Sequence, residues 1–231
     1  MALFDLTGHA ALVTGGNSGI GLGMAAGLAQ CGADVAIWGT NAAKNAAARE
    51  SLQQYGTNVI AVQCDVGDES AVESAFTRTV EELGKVDSCF ANAGVGGMAR
   101  SVMQMSAEEW HRVLRVNLDG AFYTFREASK HMVERGEGGS LVGTASLAAI
   151  EGQPRGEHYA ATKGGLISMI RALAVELARH QIRANAILPG WIETPMTAVP
   201  RANAARSAEL VGRTPMGRWG TPADLAGPAL F

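Results

Sequence analysis

The chain has 231 residues, 19 of them lysine or arginine and 22 aspartate or glutamate, which gives a formal net charge of -3. A length of this order commonly folds as one α/β domain, and a near-neutral chain without a basic run is a poor partner for nucleic acid or an anionic membrane. Because no apolar run reaches the length of a membrane span, we expect residues 1–231 to form a single cytoplasmic domain whose partner is a small molecule.

Short apolar runs alternate with longer segments of helical periodicity along the chain. The short runs are rich in β-branched residues and predict strands at 10–14, 35–38, 59–64, 86–91, 141–145 and 182–188. The longer segments predict helices at 19–30, 69–83, 107–134 and 159–180. Apolar strands joined through helices predict a doubly wound, Rossmann-type α/β fold, with helices on both faces of a parallel sheet.

A glycine-rich turn follows the first predicted strand. Its glycines suit a tight strand-to-helix turn and the close approach of a phosphate to a helix N-terminus, although a purely structural turn uses glycine too. Ligands of such sheets bind beyond the carboxyl ends of the strands, so the position favours a phosphate site. The candidate contacts are Gly15, Asn17, Ser18, Gly19, Ile20 and Gly21.

The last predicted helix before residue 181 begins with a tyrosine and a lysine four residues apart. Tyr159 and Lys163 therefore share one helix face. A nearby ammonium favours an ionised phenol, so we expect Lys163 to lower the pKa of Tyr159 towards the range useful for general acid/base chemistry. Ser146, which ends the predicted fifth strand, adds a hydroxyl that can orient a reacting oxygen. The alternative for this pair is a packed tyrosine ring beside a solvated lysine. We expect the preceding residue, His158, to lie in solvent.

The sequence changes character after the sixth predicted strand. Residues 191–222 are rich in proline and show little strand pattern, with one short helical stretch at 202–210. We expect them to form a mobile flap. The three cysteines, Cys31, Cys64 and Cys89, lie in or beside apolar runs without the spacing of a metal site, so we expect buried, reduced thiols and no metal.

These segments together resemble the motif series of the classical short-chain dehydrogenase/reductase family, including its 3-oxoacyl reductase and sugar-acid dehydrogenase members. The resemblance runs from about Leu6 to Phe231, with the motifs in the family's order and at similar separations. The matching motifs are residues 14–21, Asn92-Ala93-Gly94, Asn117, Ser146, Tyr159 with Lys163, and Pro189-Gly190.

The resemblance implies an NAD(P)-dependent oxidoreductase that transfers a hydride between nicotinamide and a carbonyl or secondary alcohol. Tyr159 is implied as the general acid or base, Ser146 as the group that holds the reacting oxygen, and Lys163 as a ligand of the nicotinamide ribose. Asn117 is implied to support a water-linked proton relay from the lysine, and it could also be a polar residue satisfied within a helix bend. Further cofactor contacts are implied at Asp65, Val66, Asn92, Ala93, Gly94, Pro189, Gly190, Ile192 and Thr194.

The end of the second predicted strand bears on the choice of cofactor. NAD-preferring relatives place an acid there that binds the adenosine ribose, whereas this chain has Trp38 and Gly39 followed by Thr40 and Asn41. We therefore favour NADP over NAD, with Thr40, Asn41 and possible help from Lys44 as contacts of the 2′-phosphate.

Two functions and one binding role remain open at this point. We favour an NADPH-dependent carbonyl or 3-oxoacyl reductase, with an NAD-dependent dehydrogenase of a sugar acid or polyol as the alternative. A nucleotide-sensing binding protein of the same fold is the non-enzyme alternative.

The family's final strand is absent from the sequence after residue 222, and the resemblance implies a homo-oligomer, commonly a tetramer.

Overall fold

Six parallel strands form the centre of the computed structural model, which describes residues 4–97, 99 and 101–231. The sheet has the order β3-β2-β1-β4-β5-β6. All six predicted strands are found, with ends that differ by no more than two residues, and the doubly wound α/β prediction is confirmed. The strands are β1 Ala10–Thr14, β2 Asp34–Gly39, β3 Val59–Gln63, β4 Ser88–Ala91, β5 Gly139–Thr144 and β6 Ile182–Ile187.

Helices cover both faces of this sheet. The predictions for α1 and α3 match at both ends, and α6 begins two residues earlier than predicted. The helices are α1 Gly19–Gln30, α2 Ala42–Gln53, α3 Glu69–Leu83, α4 Ala107–Leu114, α5 Gly120–Arg135, α6 Glu157–Leu177, α7 Ala198–Ala202, α8 Ala204–Gly212 and α9 Ala226–Leu230.

Successive residues of each strand point to opposite faces, which divides the core into two layers. Ala11 and Val13 of β1 pack with residues of α1, α2 and α9. Leu12, between them, packs on the other face with α3, α5 and α6. Strands that are apolar at every position are therefore required by a sheet covered on both sides.

The helix predicted at 107–134 is interrupted. A π-helical turn at Arg115–Asp119 separates α4 from α5. Such turns insert one extra residue and often mark functional sites. Asn117 lies within this turn and is buried, so the interpretation of a polar residue satisfied in a helix bend fits its position.

The segment after β6 forms short helices rather than strands. The short helical stretch predicted near 202–210 is found as α8, which begins two residues later because Asn203 caps it by accepting the N–H of Arg206 (3.0 Å). The chain then forms a 3₁₀ turn at Pro222–Leu225 and continues into α9.

That final segment packs tightly on α1. A Cβ on Gly23 would collide with the backbone oxygen of Pro222, and a Cβ on Gly27 would lie 2.6 Å from the Cβ of Ala226. The two glycines, one helical turn apart, therefore allow close contact between these elements.

In the described part of the chain, no helix combines the length and the apolar character that crossing a bilayer requires.

Candidate active site

A cleft of about 560 Å³ lies at the carboxyl ends of the strands, between β1 and β4. The connection after β1 leads to β2 on one side of the sheet, and the connection after β4 leads to β5 on the other side. This is the topological switch point, the usual ligand position in doubly wound folds. The cleft is lined by every candidate site residue except Asn117. Sequence reasoning missed several further lining residues, namely Cys64, Arg115, Val116, Thr144, Ala145, Pro195, Met196 and Thr197.

The turn after β1 has the geometry of an anion site. Gly15 and Gly19 have φ angles of 64° and 53°, in the left-handed region that favours glycine. Ser18, the N-cap of α1, makes no side-chain cap hydrogen bond, so it leaves N–H groups of the first turn available to a ligand. A Cβ on Gly21 would collide with Asn92, so the absence of a side chain at Gly21 lets this turn lie close to the strand ends. These features fit the pyrophosphate of a dinucleotide.

Hydrogen bonds tie the ends of three neighbouring strands together beneath the cleft. The Thr14 hydroxyl accepts the N–H groups of Asn92 and Ala93, both at 3.0 Å. The Asn92 side chain donates to the Thr14 carbonyl (3.0 Å) and accepts the Thr144 hydroxyl (3.1 Å). Asn92 therefore uses its side chain to hold β1, β4 and β5 in place. Neither threonine was among the predicted site residues, since a lone hydroxyl at a strand end has no distinctive sequence pattern.

At the β2 end of the cleft, Gly39 is the residue next to the ligand space. The Trp38 side chain points into the core and donates to the Thr79 hydroxyl (3.0 Å). A Cβ on Gly39 would collide with the side-chain nitrogen of Asn17, which donates to Asn45 (2.7 Å). A side chain at position 39, a carboxylate included, would therefore require Asn17 and Asn45 to move.

Two cations line the same end of the cleft, Lys44 and Arg115. Arg115 pairs with Asp65 at 3.0 Å. Asn41 caps α2 by accepting the N–H of Lys44 (2.9 Å), so only its side-chain NH₂ group remains to bind a ligand. Asp65, an implied cofactor contact, lines this end of the cleft, and its partner Arg115 adds a positive charge that the sequence analysis did not include.

Ser146, Tyr159 and Lys163 converge at the other end of the cleft. The Ser146 hydroxyl accepts the N–H of Ala148 at 3.1 Å and lies near enough to the Tyr159 phenol to act against a rise of its pKa. The Lys163 ammonium lies 5.6 Å from the centre of the tyrosine ring and donates to the Thr144 carbonyl at 2.7 Å. A phenol, a hydroxyl and an ammonium thus share one small region of the cleft, which is the arrangement needed for proton transfer at a substrate oxygen.

The pKa of Tyr159 moves in the direction opposite to the expectation. Burial raises it above its ordinary value, and the nearby Ser146 hydroxyl offsets this only in part. Burial also lowers the pKa of Lys163 from 10.5 to about 8. The expected lowering by Lys163 is not seen because the ammonium is itself desolvated and directed at the Thr144 carbonyl.

Asn117 does not reach the cleft surface. Its side chain accepts the N–H of Val95 (2.8 Å) and donates to the Val95 carbonyl (3.0 Å) and the Thr162 hydroxyl (3.4 Å). It therefore holds the segment after β4 against α6. The relay role implied by the family resemblance remains a prediction.

His158 was wrongly predicted to lie in solvent. Its side chain is fully buried, and Nε2 lies 3.3 Å from an oxygen of Glu109 on α4. The first turn of α6 is covered by α4, a tertiary contact that the local sequence does not reveal.

The segment after β6 covers part of the cleft. A bridge between Ile192 and Gly220 closes its base. Thr194 lies against the glycine turn, since a Cβ on Gly19 would be 3.2 Å from its Cβ, and Met196 lies similarly close to Gly96 (3.6 Å). Residues from this segment therefore line both ends of the cleft. One end lies at the glycine turn, and the other, which we call the substrate end, lies at Ser146 and Tyr159.

Comparisons with known proteins agree with this geometry. A family model described as enoyl-(acyl carrier protein) reductase matches residues 15–231. The chain is 35% identical to 2-dehydro-3-deoxy-D-gluconate 5-dehydrogenase of Escherichia coli (strain K12), over 100% of this chain and 90% of that protein. It is 38% identical to 3-oxoacyl-[acyl-carrier-protein] reductase FabG of Chlamydia pneumoniae, over 98% of this chain and 90% of that protein.

Solved structures are similar over the same range. A short-chain type dehydrogenase/reductase from Mycobacterium marinum has a TM-score of 0.93 at 33% identity, with 99% of this chain and 89% of that chain covered. Among other similar structures, a xylitol dehydrogenase is bound to NAD⁺ and another protein is bound to NADP.

The relatives named above are dehydrogenases and reductases, and the matched range contains the glycine-rich turn and the Ser146, Tyr159 and Lys163 set. An enzyme is therefore supported over the nucleotide-sensing alternative. The chain belongs to the short-chain dehydrogenase/reductase family and is an oxidoreductase that transfers a hydride between NAD(P) and a carbonyl or alcohol substrate.

Proposed function

We propose that this enzyme is an NADPH-dependent reductase of a carbonyl compound, of the 3-oxoacyl or a related apolar class. The observation that carries the proposal is the convergence of Ser146, Tyr159 and Lys163 beside a substrate end where the described residues place no other cation. Among the described residues, the charged side chains that line the cleft are Lys44, Asp65, Arg115 and Lys163. The first three lie at the adenosine end, so the described part of the chain offers a carboxylate substrate no cation besides Lys163.

Apolar side chains support the same substrate class. Val95, Pro189, Ile192 and Met196 line the substrate end. Met196 is 52% exposed and adds apolar surface to this end of the cleft. In this proposal residues 191–222 act as the substrate flap of one dinucleotide-binding and catalytic domain that spans residues 1–231.

The chain's own residues divide the proposed chemistry among them, while the bound nicotinamide supplies a hydride to the carbonyl carbon. Ser146 donates a hydrogen bond to the carbonyl oxygen and holds it beside Tyr159. Tyr159 gives its phenolic proton to that oxygen, which becomes the alcohol, and takes the proton back in the oxidation direction. Lys163 holds the nicotinamide ribose and stabilises the phenolate. Asn117 supports the return of a proton towards Lys163.

NADP is the proposed cofactor because of the residues at the end of β2. Gly39 carries no carboxylate to repel a 2′-phosphate. Thr40 and the NH₂ group of Asn41 are neutral donors beside this position, and Lys44 adds a positive charge. The pyrophosphate is assigned to the turn from Gly15 to Gly21.

A sugar-acid or polyol dehydrogenase that uses NAD is the second candidate function. It is favoured by the relatives, which include the gluconate-related dehydrogenase named above. The two candidates differ in the charge of the substrate and in the cofactor phosphate, so one pair of assays separates them.

The test is a panel of 3-oxoacyl esters, simple ketones, sugar acids and polyols, assayed with both cofactors. We expect the highest kcat/KM with NADPH and an apolar carbonyl substrate. The variant Lys44→Gln should weaken NADPH binding about tenfold and leave NADH binding within about twofold, since only the former carries the phosphate. Lys130→Gln on α5, whose ammonium pairs with Glu127 away from the cleft, is the matched control. Preference for NAD⁺ and a sugar acid would replace the first candidate with the second.

We also propose that the protein is a cytoplasmic homo-oligomer, a tetramer as the family resemblance implies. Phe122 on α5 and Val175 on α6 are 46% and 82% exposed, and the proposal assigns these side chains to contacts between subunits. Light scattering coupled to gel filtration tests the proposal, and a monomer at micromolar concentration would contradict it.

A further inference from the structure

Helix α6 presents two different faces at its start. Tyr159 and Lys163 point into the cleft, whereas His158 and Thr162 point towards α4 and the π-helical turn and are both fully buried. The Thr162 hydroxyl donates to the Tyr159 carbonyl at 2.7 Å and lies 3.4 Å from the Asn117 amide. The second face therefore docks the helix that carries the active-site tyrosine.

His158 and Arg112 meet on one carboxylate. Arg112 binds Glu109 through two nitrogens, Nε at 2.7 Å and Nη2 at 2.8 Å, and His158 Nε2 lies 3.3 Å from the oxygen that accepts the second of these bonds. A carboxylate accepts but does not donate, so His158 carries a proton on Nε2. The bidentate pair fixes the direction of the Glu109 side chain, and we call these three residues the α4–α6 clamp.

The clamp holds the segment that faces the substrate end of the cleft. Arg112 also donates to the Gly96 carbonyl at 2.9 Å. A Cβ on Gly97 would collide with His158 Nε2 and would lie 2.9 Å from the Glu109 carboxylate. The backbone at Gly96 and Gly97 therefore lies directly on the clamp, and the adjacent Val95 lines the cleft.

A second contact joins the loops that follow β4 and β5. The Ala99 N–H donates to the Arg155 carbonyl at 3.0 Å. Arg155 has a φ of 66°, a costly conformation for this residue type, and its N–H donates to Glu157 at 3.2 Å. The segment after β4 is thus held on both sides of Gly97, by Arg112 of α4 at Gly96 and by Arg155, which precedes α6, at Ala99.

We propose that the α4–α6 clamp is a positioning device for the reaction, in which His158 and Arg112 act through Glu109 to fix Gly96 and Gly97 relative to Tyr159. The clamp touches neither the cofactor end nor the reacting groups, and it sets the distance between the two sides of the substrate end. The expected effect on turnover rests on the proposed function, whereas the expected effect on the backbone at Gly96 and Gly97 does not.

The test compares His158→Leu with His158→Gln. Leucine removes the bond to Glu109, whereas glutamine keeps an N–H donor that can reach the position of Nε2. We expect His158→Leu to raise amide hydrogen exchange at residues 92–99 about tenfold, as loss of one bond to a charged group predicts. The value of kcat/KM should fall about tenfold, mainly through kcat, because misplacement affects the transition state. His158→Gln should restore both, and the Kd of NADPH should change less than about twofold.

Arg112→Gln supplies an independent variant, since its side chain is 44% exposed and its loss leaves the core intact. It should raise exchange at residues 92–99 in the same way. Glu82→Gln, which breaks an exposed acid–arginine pair on α3, is the matched control and should change neither readout.

Unchanged exchange at residues 92–99 in both Arg112→Gln and His158→Leu would overturn the proposal, as would faster exchange with unchanged turnover. If His158→Leu does not fold, Arg112→Gln decides the outcome by the same criteria. If no carbonyl substrate is turned over by the wild type, the proposed function fails, while the exchange data still test the clamp itself.

Discussion

Lys163 is a cation that the fold almost completely removes from water, with 4% of its surface exposed. Burial lowers its pKa from 10.5 to about 8, and its nearest partner is the neutral carbonyl of Thr144. Between these two pH values the unfolded chain binds a proton that the folded protein does not. The contribution of Lys163 to the unfolding free energy therefore increases as pH rises through this window.

We predict that Lys163→Met, which keeps a similar shape without the charge, lacks the lysine contribution. The unfolding free energy of the wild type minus that of Lys163→Met, measured in urea, should rise by at most about 3 kcal/mol between pH 8 and 10.5. Taking the difference removes the opposing effect of the buried thiols of Cys64 and Cys89, whose raised pKa values act in both proteins. Lys130→Met, at an exposed lysine, should keep the wild-type slope. A difference that stays flat over this range would contradict the lowered pKa of Lys163.

Individual site residues differ in how well the sequence identifies them. Tyr159 and Lys163 are recognisable because their spacing places them on one helix face, and the structure brings them together. His158, one residue earlier, is buried by α4. Its contact on that helix, Glu109, lies 49 positions earlier in the chain. No local pattern around His158 specifies that partner, so the prediction of a solvent-exposed side chain was wrong.

The close packing of α1 against α9 and the preceding turn requires glycine at two positions of α1, Gly23 and Gly27. We predict that Gly23→Ala lowers the unfolding free energy by about 2 kcal/mol or more, because a methyl group there collides with the Pro222 backbone. Gly164→Ala is the matched control, since a Cβ at that helical position has no neighbour within 4 Å.

Gly164→Ala should raise stability by roughly 0.5–1 kcal/mol through helix propensity. Thermal and urea unfolding of both variants measure the difference. Equal effects of the two substitutions would contradict the close packing of α1 against the final segment.

Asp87 connects the beginnings of β1 and β4 to the end of α5. It accepts the Ala10 N–H (2.9 Å) and pairs with Arg135 (2.7 Å) and Lys85 (3.2 Å). Burial acts to raise its pKa, but the Ala10 hydrogen bond and the two cations outweigh it, so the pKa lies below the ordinary 3.8. Its contribution to stability is therefore complete above pH 3.8 and is lost as pH falls through the lower, folded pKa.

We predict that Asp87→Asn destabilises the protein by about 2–3 kcal/mol at pH 7, since it leaves Arg135 partly buried without its partner. The variant should also lose stability less steeply than the wild type below pH 3.8. Glu137→Gln, at an exposed partner of the same arginine, should cost less than about 0.5 kcal/mol. Similar losses for the two variants in urea titrations would refute the importance of Asp87.

At the level of elements, strand positions were predicted well because buried parallel strands are apolar on both faces. The interruption of the helix at Arg115–Asp119 was not predicted, since its sequence is compatible with a continuous helix. The π-helical turn places the Asn117 side chain on the Val95 backbone, and that contact exists only in the folded protein.

The whole molecule places its functional groups by topology. Residues that are far apart in sequence meet because the carboxyl ends of parallel strands lie at one edge of the sheet. This rule made the glycine turn and Ser146 predictable as one site, to which the family resemblance added Asn92 and Tyr159. It does not specify how the segment after β6 folds over that edge, so the contributions of Pro195, Met196 and Thr197 became visible only in the structure.

The central claim concerns the phenol at the mouth of this cleft, and Tyr159→Phe removes its hydroxyl while keeping the ring. In a wild-type enzyme with an identified substrate, the account predicts that the variant loses at least about 10³-fold in kcat and binds NADPH with a Kd within about twofold of the wild-type value. Both quantities are measured from the nicotinamide signal, by absorbance for turnover and by fluorescence for binding. A Tyr159→Phe enzyme that kept most of its turnover would contradict the assignment of this residue as the proton donor.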